Sequence, residues 1–198
     1  MYKLFNTKNI IKLLAVLFIT FTVASCQRDD AAAEDDIPQE DLTNIVLLVM
    51  EKDKPETKTP YNYSIGAGGV PTMILEDGKT YEVEVQFLNG NEDATQEIKD
   101  AKDEHFLTFS FPNSDITLSR TDDASSTRNI DGNRVGLKTT WVVNKAIQNA
   151  SSPSQLILTL YHESASTSEA SAPNGSGAVY GSQTGGETDA QANYTITN

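Results

Sequence analysis

One cysteine and two histidines are all that this chain offers to thiol, disulfide and imidazole chemistry. A single Cys excludes an intramolecular disulfide framework and every Cys-based zinc cluster. No G-x-S-x-G elbow, no H-E-x-x-H helix and no second thiol is present, so the common nucleophilic and metalloprotease constellations are missing. The expectation is that the protein is not an enzyme. Positive charge is also scarce, with 15 Lys+Arg against 28 Asp+Glu and a formal net charge of −13. A phosphate backbone would be repelled by such a surface, so nucleic acid is excluded as a partner. At 198 residues the chain has room for one domain and a tail.

What is present is most specific at the beginning. Lys3, Lys8 and Lys12 form a positive segment without an acid, and residues 13–23 (LLAVLFITFTV) form an apolar run. A membrane-spanning helix needs about 20 apolar residues, so the run is too short to cross and fits a secretory core instead. Val23, Ala24 and Ser25 then lead into Cys26. An aliphatic residue, two small residues and a Cys resemble the lipobox of bacterial lipoproteins. In that case residues 1–25 are a signal peptide, and the Cys26 thiol receives the diacylglycerol. Each buried methylene contributes roughly 0.8 kcal/mol, and a multiply acylated terminus stays on its membrane where a single chain would not. The alternative is an ordinary signal peptide with a chance Cys. Removing residues 1–25 leaves 12 basic against 28 acidic side chains.

Gln27, Arg28, Asp29 and Asp30 follow Cys26. Acids at this place resemble the lipoprotein export signal of Bacteroidota, which implies the outer membrane and its outer leaflet, the cell surface. The alternative is a solvated acidic tether. Residues 26–40 read as that tether in either case, with six acids, three consecutive Ala and one Pro. As a flexible coil it spans on the order of 20 Å.

A β pattern begins near Asp41. Residues 45–50 are a continuous apolar run, the mark of a strand buried on both faces. Tyr61, Tyr63 and Ile65 alternate with polar residues, as do Tyr81, Val83, Val85 and Phe87. Leu107, Phe109 and Phe111, then Leu156, Leu158 and Leu160, repeat the period, and residues 116–118, 137–143 and 192–196 complete the set. About eight short strands separated by turn signals predict an all-β antiparallel sandwich over 41–198, immunoglobulin-like in broad architecture. One short connecting helix is expected over 94–103, with Asp93 as its N-cap. The Ser/Gly-rich stretch 164–186 reads as a long mobile loop.

Several pieces of this domain stand in the order of a known family. They are Glu92-Asp93-Ala94-Thr95-Gln96-Glu97-Ile98, Asp103-Glu104-His105-Phe106, Gly136-Leu137-Lys138-Thr139-Thr140-Trp141, residues 156–163, and Gly185-Gly186-Glu187-Thr188-Asp189. Together they resemble the flavobacterial outer-membrane lipoproteins often labelled "type 1 periplasmic binding fold superfamily". The fold expectation rests on the strand pattern, which has no βαβ alternation. The resemblance implies an outer-membrane lipoprotein of Bacteroidota, of a kind that often partners a TonB-dependent transporter. The chain lacks the D-x-D-G-D-G stretch of many members; Ser64-Ile65-Gly66-Ala67-Gly68-Gly69 stands there.

Candidate sites are few. Strand phase puts His105 at the start of one strand and His162 at the end of another, both facing inward. If those strands are antiparallel neighbours the imidazoles meet, with Glu104 and Glu163 beside them. Two imidazoles and a carboxylate suit zinc or another divalent metal. The alternative is two strand-end histidines bonded to loop carbonyls. Calcium has weaker candidates in the acids Glu92, Asp93, Glu97, Asp100, Asp103 and Glu104, and in Asn129, Asp131 and Asn133, since no EF-hand pattern is present. Of the aromatic residues Tyr61, Tyr63, Tyr81, Trp141, Tyr161 and Tyr180, most fall on core phases, and Tyr180 is the candidate for sugar stacking. These observations favour a binding module on the membrane, accessory to a transporter in ligand or metal uptake. A structural subunit of an outer-membrane complex and a calcium- or sugar-dependent adhesin are the alternatives.

Overall fold

The computed structural model describes residues 42–198. The expected signal peptide over 1–25, Cys26, the acids after it and the expected tether over 26–40 lie outside the described residues. The rest is an all-β sandwich of two sheets. The first sheet has the order β2-β1-β4-β8-β7, built from β1 (Asn44–Glu51), β2 (Thr59–Ser64), β4 (Thr80–Asn89), β7 (Asp115–Arg120) and β8 (Lys138–Lys145), with the short β5 (Glu92–Asp93) attached to β4. The second has the order β10-β11-β6-β9-β12-β3, built from β3 (Thr72–Ile74), β6 (Phe106–Ser110), β9 (Ser154–His162), β10 (Ser166–Asn174), β11 (Gly177–Thr184) and β12 (Glu187–Thr197). All pairings are antiparallel except β3 with β12.

Period-2 alternation explains the core. Ile45, Leu47 and Val49 of β1 face Tyr81, Val83, Val85 and Phe87 of β4, and they meet Leu156, Leu158 and Leu160 of β9 and Tyr194 and Ile196 of β12 from the other sheet. Trp141 is fully buried, packs edge-on against Phe111 at 5.2 Å and donates its Nε1–H to the Thr139 hydroxyl at 2.8 Å. The Tyr194 hydroxyl crosses the sandwich to the Ile45 carbonyl at 2.8 Å, and burial pushes its pKa up.

All eight strands expected from the pattern are present, and β3, β5, β10 and β11 are additional. The helix α1 is shorter than expected, Thr95–Asp100, and its N-cap residue is Ala94. Asp93 still helps, because its carboxylate accepts from the Thr95 N–H at 2.9 Å. The outward face of β1 is not covered by a further layer: Leu48 and Met50 are only half-buried there. The largest correction concerns 164–186. Most of this stretch is the hairpin β10–β11, with a register shift between Ser168 and Ser171. Its backbone pairs with itself and then with β6 at Val179 and Tyr180, so a sequence of small polar residues holds strand geometry without supplying an apolar stripe.

Candidate functional site

The register of β6 and β9 pairs Phe106 with Tyr161, which sets His105 opposite His162 at the strand ends. The two imidazoles meet. Their centroids are 5.0 Å apart and their planes 19° from parallel. His105 is buried, and its Nδ1 lies 3.0 Å from the Ala101 carbonyl at the end of α1. A carbonyl only accepts, so that nitrogen carries the proton of the bond. His162 is partly exposed, with Nε2 at 3.1 Å from Glu104 Oε2.

The fourth member of the cluster is Asp189. Its carboxylate lies 3.5 Å from His105 Nε2 and 3.9 Å from His162 Nδ1. It occupies the register shift between Thr188 and Ala190, where β12 carries one residue more than its partner strand. Such a bulge re-aims one side chain. Simple alternation with Ala190, Ala192 and Tyr194 places residue 189 on the outer face, so the pattern gives no signal for it. Arg128 was also not legible as part of this cluster. Its guanidinium is buried, with Nε on both Asp131 oxygens at 3.2 and 3.1 Å, Nη1 on the His105 carbonyl and Nη2 on the Ser164 carbonyl. It thereby ties the backbones that carry the two histidines.

The metal expectation is corrected on two counts. Glu163 is exposed, with a positive φ of 54°, in the turn after β9, and it is not part of the cluster. His105 Nε2 and His162 Nδ1 both face Asp189, while Glu104 lies on the other ring nitrogen of His162. Among the described residues no group of three or more His, Cys, Asp and Glu side chains is disposed to hold a metal ion. The zinc expectation therefore finds no cage, and the same holds for calcium. Asp131 is engaged by Arg128, by Thr167 Oγ1 at 2.7 Å and by the Asn133 N–H at 3.1 Å. Asp103 accepts from the Asn129 backbone, from Asn129 Nδ2 at 2.8 Å and from the Ile130 N–H at 3.3 Å. For both carboxyls, burial opposes ionisation, and the surrounding donors outweigh it and hold the pKa below the ordinary value. Asp100 accepts from Gln96 and Asp93 from the Thr95 N–H, both bonds local to α1.

Sugar stacking on Tyr180 is likewise corrected. Its ring packs against the core beside Phe111, and its hydroxyl donates to the Ile116 carbonyl of β7 at 2.6 Å. Tyr81 and Trp141 are core residues, and Tyr61 and Tyr63 lie half-buried against it.

A concave feature exists on the uncovered face of the first sheet. Antiparallel register lines up Pro60, Leu48, Glu84 and Lys138 across β2, β1, β4 and β8, and Met50, Glu82 and Thr140 in the next row. Together with Lys58 and Thr121 these residues, Pro60 excepted, border a cleft of about 300 Å³. Leu48 and Met50 give it an apolar floor, and Lys58 sits 3.5 Å from Glu84 on its wall. An apolar surface with a few placed charges is the composition of a small-ligand or peptide site.

No protein-family model, no curated protein and no solved structure matches the chain. The reading of the site therefore rests on its residues.

Proposed function

We propose that the protein is a lipoprotein of the outer membrane, held at the cell surface by acylated Cys26, and that its sandwich is a non-enzymatic binding module accessory to a TonB-dependent transporter. The observation that carries the binding part is the cleft across β1, β4 and β8, with its Leu48–Met50 floor and its Lys58, Glu82, Glu84 and Lys138 walls. The anchor gives such a module its physical value. A domain tethered beside a transporter has a high effective concentration, so modest affinity suffices for delivery. The order of lysines, apolar run, small residues and Cys26 in the sequence supports the anchor, and the acids after Cys26 support the surface location. The histidine cluster serves in this reading as a structural clasp.

The test is a native pull-down from detergent-solubilised outer membranes with the lipidated protein as bait, reading proteins and small molecules together by mass spectrometry. Recovery of a TonB-dependent transporter that is lost with a Met50→Arg, Lys138→Glu variant is the expected result. Recovery of a stable assembly that is indifferent to that variant moves the protein to the class of structural subunits.

A further inference from the structure

Charge is distributed unevenly in this chain. The seventeen residues 59–75 contain no Asp, Glu, Lys, Arg or His, and neither do residues 42–50 or 190–197. The fold brings these three segments together. β2 pairs β1, β3 pairs the end of β12, and the linker 65–71 passes from one sheet to the other between β2 and β3. One side of an otherwise acidic domain is thus uncharged. Its rim is set by Lys58 before β2, Glu76 after β3, and Glu92 and Asp93 of β5, which lie across β4 from β1.

This side is also where apolar side chains stand in water. Ile65, Val70 and Ile74 are 36%, 50% and 60% exposed, three of the five large exposed hydrophobics among the described residues. Gly66, Gly68 and Gly69 separate Ile65 from Val70, and an added Cβ at any of them would meet nothing within 4 Å, so the loop stands clear of the fold. Tyr61 and Tyr63 lie on the adjoining strand, half-buried. Apolar tips on a loop without charge suit the boundary of a lipid bilayer.

The position of the loop names the bilayer. The Ile65 N–H donates to the Thr43 carbonyl at 2.8 Å, so the loop stands beside the point at which the described chain begins. Cys26 is sixteen positions before Leu42 in the sequence. We infer that the uncharged side, with Ile65 and Val70 at its tip and Ile74 along its edge, docks on the lipid surface that carries the Cys26 anchor. The inference rests on the proposed lipidation. Few side chains would insert, which is too weak for a free protein to bind a vesicle, but an anchored domain needs little more to hold one orientation. The cleft floor begins at Leu48, four residues along β1 from Asn44 and about 13 Å at strand rise, and it opens on the outward face of the first sheet.

The test uses the full lipidated protein in vesicles of phosphatidylethanolamine and phosphatidylglycerol. The acylated Cys26 does not react with a thiol dye, so Val70→Cys carries a single environment-sensitive fluorophore, and Ala170→Cys on the exposed β10 edge is the control. The expected result is several-fold stronger quenching by spin-labelled lipid at position 70 than at 170. A label at Ile74→Cys should lose that quenching when Val70→Asp is added, with unchanged melting temperature. Equal quenching at 70 and 170 on vesicle-retained protein overturns docking alone. A label at 70 that is shielded from water but insensitive to quencher lipid also overturns it, and identifies a second copy of the chain as the cover. Absence of lipid on Cys26 by mass spectrometry, with loss of vesicle retention, takes down the anchor and the docking together.

Discussion

At the residue scale, two buried arginines organise more of this molecule than the histidines that attract attention in the sequence. Arg120 ends the inward phase of β7 and donates to the carbonyls of Leu107, Arg134 and Val135, with its guanidinium 4.4 Å from the Phe106 ring centroid. Burial lowers its pKa to about 10. The close approach requires glycine at two neighbours. A Cβ at Gly181 would sit 2.6 Å from Arg120 Nη2, and one at Gly136 2.2 Å from Nη1, both at positive φ. Gly181→Ala should therefore destabilise the fold by about 1–3 kcal/mol, combining backbone strain with displacement of the guanidinium. Chemical denaturation reads this directly, and an unchanged midpoint would show that Arg120 moves aside freely. For the histidines, His105→Ala should cost about 2–4 kcal/mol, because it leaves a buried cavity and takes one of two histidine neighbours from Asp189. His162→Ala, at a partly exposed pair, should cost under about 1 kcal/mol. Equal costs would contradict the asymmetry of burial.

At the element scale, the hairpin β10–β11 depends on side-chain ties more than on apolar burial. Tyr180 ties it to β7, and Thr167 and Glu169 tie it to the loop that carries Arg128, Asp131 and Arg134. Tyr180→Phe should cost about 1 kcal/mol and speed amide exchange in β10 more than in β9. The Asp131 tie also makes a pH prediction. Its pKa is lower folded than unfolded, so its contribution is fully present above the unfolded value and is lost as pH falls through the folded one. Melting temperature should fall as pH drops below about 4, and Asp131→Asn should flatten that fall. A variant with the same slope as the parent would remove Asp131 from the acid response. The long β10 edge is polar, bulged and carries Pro173 near its tip, features that discourage edge-to-edge pairing.

At the scale of the whole molecule, the proposed anchor is open to a direct test. Cys26→Ala should release the protein from membranes into a soluble fraction, with its sandwich intact by circular dichroism. Retention of that variant on washed membranes would mean that the domain binds the membrane or a partner without lipid. No helix among the described residues is long and apolar enough to cross a membrane. The expected consequence of docking is that the cleft meets its ligand, or a transporter, in a fixed orientation.

Alternation was the readable part of this chain. Eight strands and the inward phases of Phe109, Val85 and Leu158 follow from a period of two, a local property that a sequence carries on its own; that period also put His105 and His162 at inward strand ends, but their meeting waited on the pairing of β6 with β9. Asp189 entered the cluster through a bulge, Arg128 through a loop that folds back beneath both histidines, and β10–β11 through backbone pairing that polar side chains permit but do not announce. These depend on partners distant in sequence. So does the uncharged side, whose three segments are separated in the chain and become one surface only when β1, β2, β3 and β12 assemble. Local periodicity determined what is buried; long-range pairing decided which polar groups meet, because a hydrogen bond or an ion pair needs its partner in place and an apolar residue needs only the absence of water.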